Sequence, residues 1–171
     1  SPEEILGRIS DFKVRHALLT GGEPLLQRPV PTLVRTLKEA GYTVSIETHG
    51  EVSIESVSGI ARVVMDIKTP SSGMNRGGWE KNLPLLNETD EVKFVIASKT
   101  DYEWARELVR SGRIPTREIL FSPAVPALGM PGRFPGVEAR WLAEKILEDR
   151  LPVRFQIQLH KVIWGADRKG V

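Results

Sequence analysis

Apolar positions along the chain switch between two spacings. Ile5, Ile9 and Phe12 follow a helical period. Before them, Ser1-Pro2-Glu3-Glu4 has the form of a capping box, with Ser1 as N-cap, Pro2 at the first helical position and Glu4 reaching back. A short apolar run at 14–19 then ends in a Gly-Gly turn. Pro31 opens a helix carrying Leu33, Val34, Leu37 and Ala40, which stops at Gly41. Residues 42–46 alternate as a strand, and 62–67 and 92–97 are β-branched runs. Thr100 and Glu103 predict a second capping box before Trp104, Ala105, Leu108 and Val109. A short strand at 118–121, a helix at 137–148 with Trp141, Leu142 and Ile146 on one side, and a last strand at 153–159 complete the pattern. Residues 68–87, rich in Pro, Ser, Gly and Asn, read as a long loop over one end of the sheet.

Roughly six strands, mostly separated by helices or long crossovers, predict an α/β fold with a mostly parallel sheet, open or closed as a partial barrel. A helix-first start is unusual for a βα-repeat protein, and it implies that something precedes Ser1 in the natural gene. No repeat period and no low-complexity tract interrupts the chain. Its 171 residues fit one domain able to bury a sizeable core.

In parallel α/β folds, ligands collect at the C-terminal ends of strands. Here those ends read Thr20-Gly21-Gly22-Glu23-Pro24, Glu47-Thr48-His49-Gly50, Asp66-Ile67-Lys68, Ala97-Ser98-Lys99, Ser122-Pro123 and His160-Lys161. Nearly all carry a polar or charged residue, which a purely structural barrel does not need. In the last strand Val153, Phe155, Ile157 and Leu159 alternate with Arg154, Gln156, Gln158 and His160. The polar set faces either a ligand-filled lumen or, on an edge strand, water; the pattern leaves both open. The two glycines after the first strand allow backbone to approach a ligand closely, and a plain turn is the alternative.

Composition narrows the chemistry. The net charge is +2, but Lys and Arg are scattered among Asp and Glu, so the charge by itself implies no nucleic-acid partner. No apolar run is long enough to span a bilayer and the first residues are acidic and polar, which makes the cytoplasm the default location. Cysteine is absent. That excludes disulfides and thiolate-held metal sites within these residues.

The segment Leu19-Thr20-Gly21-Gly22-Glu23-Pro24-Leu25-Leu26-Gln27 resembles the glycine-rich S-adenosylmethionine (SAM) motif of the radical SAM superfamily. Ile46-Glu47-Thr48-His49-Gly50 resembles the family's Glu-Thr-X-Gly element, Asp66-Ile67-Lys68 its fourth-strand motif, and Ser122-Pro123 a later strand motif near the adenosyl group. Met74-Asn75-Arg76-Gly77-Gly78-Trp79 and Gln158-Leu159-His160-Lys161-Val162-Ile163-Trp164-Gly165 resemble the loop and C-terminal signature of 7-carboxy-7-deazaguanine synthases.

That resemblance implies a partial (β/α) TIM-like barrel lacking its first strand and cluster loop. It implies a SAM site of Gly21, Gly22, Glu23, Pro24, Glu47, Asp66, Ile67, Lys68, Phe121, Ser122, Pro123 and Ala124, and a substrate site of Thr20, Gln158, His160 and Lys161. The implied reaction uses a 5′-deoxyadenosyl radical to turn 6-carboxy-5,6,7,8-tetrahydropterin into 7-carboxy-7-deazaguanine, with a [4Fe–4S] cluster, Mg²⁺, a flavodoxin- or ferredoxin-type electron donor and a homodimeric assembly. One departure is plain: the family's cluster hangs on cysteine thiolates, and this chain has none. The expectation is therefore an N-terminally incomplete domain that is inactive by itself. A radical SAM activase shares the first motifs, though not the Arg-Gly-Gly-Trp loop or the His-Lys-X-Ile-Trp end. A cluster-free SAM or nucleotide-binding module is the alternative from another class. The bland readings of individual residues are a tight turn for Gly22, a solvated carboxylate for Glu47, a surface ion pair for Lys68, a loop start for Ser122 and a satisfied core histidine for His160.

Overall fold

The computed structural model describes residues 1–124 and 136–165. Its helices are α1 (Pro2–Ile9), α2 (Val30–Glu39), α3 (Lys99–Arg110), α4 (Ala139–Glu148) and α5 (Leu159–Trp164). Its strands are β1 (His16–Leu19), β2 (Thr43–Thr48), β3 (Arg62–Asp66), β4 (Glu91–Ile96), β5 (Glu118–Pro123) and β6 (Arg154–Phe155). They form a six-stranded sheet in the order β1-β2-β3-β4-β5-β6. β1 with β2, β2 with β3, and β5 with β6 pair in parallel. This is the α/β class that the alternation of periods implies. By contact the chain divides into two compact units: Ser1–Asp66, Arg76–Glu91 and Pro115–Arg117 in one, and Ile67–Asn75, Val92–Ile114 and the described residues from Glu118 onward in the other.

In the first unit, α1 starts at the capping box read from the sequence. The Glu4 amide donates to Ser1 Oγ at 3.3 Å, and the Ser1 ammonium donates to Glu4 Oε2 at 2.6 Å. In α2, Val30, Val34 and Leu37 repeat at i, i+4 and i+7, and these are the residues the helix buries. Val44 and Ile46 of β2, Val63 and Met65 of β3, and Ile54 and Val57 of the connection between them complete the core. The sheet's terminal strand β1 is thinly covered: Leu18 stands 54% exposed beside Val14 and Phe12.

The second unit is built on aromatic packing. Phe94 sits edge to face with Trp104 and Phe121, at ring-centre distances of 6.0 and 5.5 Å, and Tyr102 does the same with Phe121 and Trp141. α3 buries Tyr102, Ala105, Leu108 and Val109, and α4 buries Leu142 and Ile146. The Tyr102 hydroxyl donates to Asp149 Oδ2 at 2.6 Å just past the end of α4, and Arg106 and Arg110 reach the same carboxylate.

Two expectations are corrected. α3 does not start at a Thr100–Glu103 box: its N-cap is Ser98, whose Oγ accepts from the Asp101 amide at 3.1 Å, so Thr100 already lies inside the first turn. The last strand does not run from 153 to 159. β6 is Arg154–Phe155, and Leu159–Trp164 is helical. The alternation there does not sort an inner face from an outer one, because Phe155, Ile157 and Leu159 are exposed at 39%, 43% and 58%.

Candidate ligand-binding strand ends

The chain leaves β1 through Thr20 and turns at Gly21 and Gly22. Their φ angles are +92° and +52°, in the left-handed region that side-chain-bearing residues rarely adopt. A Cβ built on either glycine meets nothing within 4 Å, so space lies open on that side of the turn. Glu23 follows, 8% exposed, and its carboxylate points back into the protein. Oε1 accepts from the Leu25 amide at 3.1 Å and from Thr48 Oγ1 at 2.9 Å. Oε2 accepts from the His49 amide at 2.9 Å and lies 3.1 Å from His49 Nε2. The glycine turn is thereby strapped to the end of β2. Carboxylates buried like this need such donors, since an unpaired buried charge is costly.

The end of β2 has its own supports. Thr48 Oγ1 accepts the Gly50 amide at 3.1 Å, and His49 Nδ1 accepts the Glu51 amide at 3.0 Å. Thr20 and Glu47 extend the Leu19–Ile46 register, and Thr20 Oγ1 donates to Glu47 Oε2 at 3.1 Å. Residues 76–82 dock on the segment after β2. Glu51 accepts the Arg76 and Gly78 amides at 3.1 and 2.8 Å. Buried Asn82 donates to the Gly50 and Val52 carbonyls, both at 2.8 Å, and accepts from the Ile54 amide at 3.1 Å. Trp79 is 3% exposed, which agrees with a packing residue.

In the second unit, the chain after Ile67 and Lys68 is pinned by Asp101, which is fully buried. Its carboxylate accepts the Ser71 amide at 2.9 Å and the Ala97 amide at 3.1 Å, and Ser71 and Ser98 hydroxyls lie 2.8 Å apart. β5 ends in Phe121-Ser122-Pro123, and Ala124 donates its amide to the Ile96 carbonyl at 2.8 Å. Ser122 is 0% exposed, and its Oγ is buried without a hydrogen-bond partner among the described residues. Gln158, expected on a strand, is the N-cap of α5, and Lys161 lies within that helix. The His160 side chain lies outside the described residues; only its backbone, in α5, is placed.

No family model matches the chain. It is 39% identical over 173 residues to the 7-carboxy-7-deazaguanine synthase of Chlorobaculum tepidum, covering 99% of this chain and 74% of that protein. The chain belongs to the 7-carboxy-7-deazaguanine synthase family. A synthase of Koribacter versatilis is 39% identical over 159 residues, with 90% of this chain and 70% of the relative aligned. Among solved structures, Streptococcus suis SuiB has the same fold, with a TM-score of 0.69 at 18% identity. This chain is covered to 99% and spans less than half of SuiB, 46%. SuiB bound to S-adenosylmethionine aligns with a TM-score of 0.66 at 18% identity, over 91% of this chain and 40% of that one.

Within this synthase-family chain, sequence reasoning missed Thr48, His49, Glu51, Asn82 and Asp101. In Glu47-Thr48-His49-Gly50 the available signal is the Thr two residues before a Gly, a common self-bonded turn. The spacing Ser98-Lys99-Thr100-Asp101 carries the signal for Asp101. No local signal marks Asn82, whose partners lie 28 to 32 residues away.

Proposed function

We propose that the chain provides the SAM- and substrate-binding strand ends of an enzyme that converts 6-carboxy-5,6,7,8-tetrahydropterin to 7-carboxy-7-deazaguanine. The observation that carries this reading is the Gly21–Gly22 turn. Its φ angles are +92° and +52°, space lies open on the Cβ side of both glycines, and Glu23 holds it from behind. Such a turn suits the amino and carboxylate groups of a methionyl moiety, which backbone groups can bond directly.

The residues present fit SAM by one further test. Ser122 keeps a buried hydroxyl at a strand end with no partner among the described residues, and a ligand bonding there would satisfy a group that is otherwise costly. In the first unit the reading assigns to SAM the backbone of Gly21 through Pro24, with Glu47 for a ribose diol or an ammonium. Asp66 closes the same strand-end set. In the second unit Ile67, Lys68, Phe121, Ser122, Pro123 and Ala124 are assigned to it, Lys68 offering a cation to a carboxylate and Ser122 a hydroxyl. Thr20, Gln158 and Lys161, with His160, are assigned to the pterin. SAM, when bound and given one electron by a reductant held outside these residues, would supply the 5′-deoxyadenosyl radical, with methionine as the other product. What this chain does is grip, orient and exclude water: Glu23 orders the turn, and Asp101 fixes the backbone that follows Lys68.

The residues do not fit an iron–sulfur cluster. The chain has no cysteine, and among the described residues no group of three or more His, Asp or Glu is placed to hold a metal ion. The cluster's ligands are therefore sought outside these residues, and a Mg²⁺ ligand, an electron donor and a homodimeric assembly in the cytoplasm belong to the same proposal. Among the described residues no helix is long and apolar enough to cross a membrane. The lack of cysteine also favours a second reading, a SAM-binding module without radical chemistry.

The test is anaerobic isothermal titration of SAM into the complete gene product, alongside conversion of the carboxylated tetrahydropterin followed by mass spectrometry. Gly22→Trp is expected to abolish SAM binding. Unchanged binding in that variant would sink the assignment, and SAM binding with no deazapurine formed would favour the second reading.

A further inference from the structure

The carboxylates of Glu23 and Glu51 each hold a loop, and the His49 imidazole joins the Glu23 carboxylate to the Glu51 backbone amide. Glu23 ties down the glycine turn through the Leu25 amide, Thr48 Oγ1 and the His49 amide. Glu51 holds the amides of Arg76 and Gly78. The His49 ring meets Glu23 Oε2 at 3.1 Å through Nε2 and the Glu51 amide at 3.0 Å through Nδ1. A ring nitrogen that accepts from an amide carries no proton, so the neutral ring bears its proton on Nε2 and donates it to Glu23. Its two bonds run in one direction: Glu51 amide to Nδ1, Nε2 proton to Glu23.

The turn after β2 does not need the ring for its own closure, because Thr48 Oγ1 already accepts the Gly50 amide at 3.1 Å. What the ring adds is continuity. From the glycine turn the bonds pass through Glu23, the imidazole and Glu51 to the amides at 76 and 78. Gly78 leaves that last contact little slack: a Cβ there would meet the Glu51 carboxylate and lie 3.0 Å from the Glu51 Cα.

We propose that His49 is a positioning residue that couples the Gly21–Gly22 turn to the Arg76–Gly78 loop, so that order imposed on the turn by a ligand is passed to the loop. The proposal rests on the reading of the turn as a SAM site. Coupling of this kind is reciprocal: whatever loosens the loop weakens the ligand, and the ligand protects the loop. The loop bears the Met74–Trp79 signature, whereas the turn bears the general SAM motif. His49 therefore joins the part that binds the common cofactor to a part specific to the subfamily.

The test is a double-mutant cycle on the complete gene product, with SAM as the probe. Glu51 bonds the His49 ring and the Arg76 and Gly78 amides, not the glycine turn itself, yet Glu51→Gln is expected to weaken SAM about fivefold by loosening the loop at the far end of the chain of bonds. His49→Asn keeps an acceptor for the Glu51 amide but cannot reach Glu23, and in that background Glu51→Gln is expected to leave the affinity within about twofold. His49→Gln places a donor near Nε2 and is expected to restore part of the coupling. Hydrogen exchange supplies a readout apart from activity: SAM slows the Arg76 and Gly78 amides in the parent and not in His49→Asn. Additive effects of the two substitutions, or equal protection in His49→Asn, overturn the coupling while leaving the SAM site standing. A parent that binds no SAM overturns both. If the variants fail to fold, ¹⁵N shifts of His49 in the parent decide: a proton on Nδ1 overturns the proposal, and a proton on Nε2 supports it.

Discussion

Replacing Asn82 tests whether a single amide organises the segment after β2. Its side chain is 2% exposed and makes three bonds to backbone: Nδ2 to the Gly50 and Val52 carbonyls at 2.8 Å each, and Oδ1 from the Ile54 amide at 3.1 Å. Asn82→Ala strands these groups in or near the interior. At about 1 kcal/mol for each bond lost, with extra cost for each donor or acceptor left dry, the expected loss is about 3–5 kcal/mol. Asn82→Asp keeps the acceptor for Ile54 but aims carboxylate oxygen at two carbonyl oxygens, so it should cost at least as much at neutral pH. Burial against those carbonyls raises the new carboxyl above its unfolded value. Its penalty is therefore full above the folded-state pKa and shrinks as pH falls toward the unfolded value, where the protonated acid also regains one donor. Trp79, 3% exposed and three residues away in sequence, gives a fluorescence signal for urea unfolding. A loss under about 1 kcal/mol for Asn82→Ala, or an Asp variant milder than Ala at pH 7, would refute this accounting.

Gly78→Ala should lower the melting temperature, because its Cβ collides with Glu51, whose Cα lies 3.0 Å away; overpacking of this kind costs about 1–3 kcal/mol. Ser122→Ala removes a hydroxyl with no partner among the described residues, so stability should hold within about 0.5 kcal/mol while SAM affinity, read by titration, falls about tenfold. The Asp149 carboxyl is held below its ordinary value, first by the Tyr102 hydrogen bond and then by Arg106 and Arg110. A depressed carboxyl contributes stability above its unfolded pKa and loses it as pH falls through the folded one, so Tyr102→Phe should flatten the acid limb of a urea-midpoint profile below about pH 4. Burial, then Asp149, pushes the Tyr102 hydroxyl upward. That contribution is complete below about pH 10 and is lost above it, and the parent's alkaline decline there should vanish in the same variant.

Helices and strands were legible wherever burial follows one period. α2 buries Val34 and Leu37 of the set seen in the sequence and adds Val30, while Leu33 and Ala40 are only half-buried; the Ser1–Glu4 box is present atom for atom. At α3 two overlapping caps competed. Ser98 wins because its companion Asp101 also serves the Ala97 and Ser71 amides, a tertiary gain invisible to local pattern. At 153–159 the alternation of apolar and polar residues mimicked a strand, yet only Arg154 and Phe155 pair with β5, and the apolar side chains beyond them remain exposed. In the candidate site, the glycine turn and Ser122 stand out in the motifs. The direction of the Glu23 carboxylate does not, because its oxygens accept from Thr48 and His49, partners 25 and 26 residues distant. A motif tells that a carboxylate is wanted, and only the fold tells on which side it is spent.

The thin cover of β1 has a consequence for handling. A terminal strand shows one row of amides and carbonyls to whatever chain arrives, and here Leu18, Val14 and Phe12 surround that row with oily surface. Preparations of these residues by themselves should self-associate as concentration rises, through strand addition at this margin. A lysine at Leu18 should act as a gatekeeper, keeping the protein dispersed while leaving the glycine turn beyond β1 undisturbed.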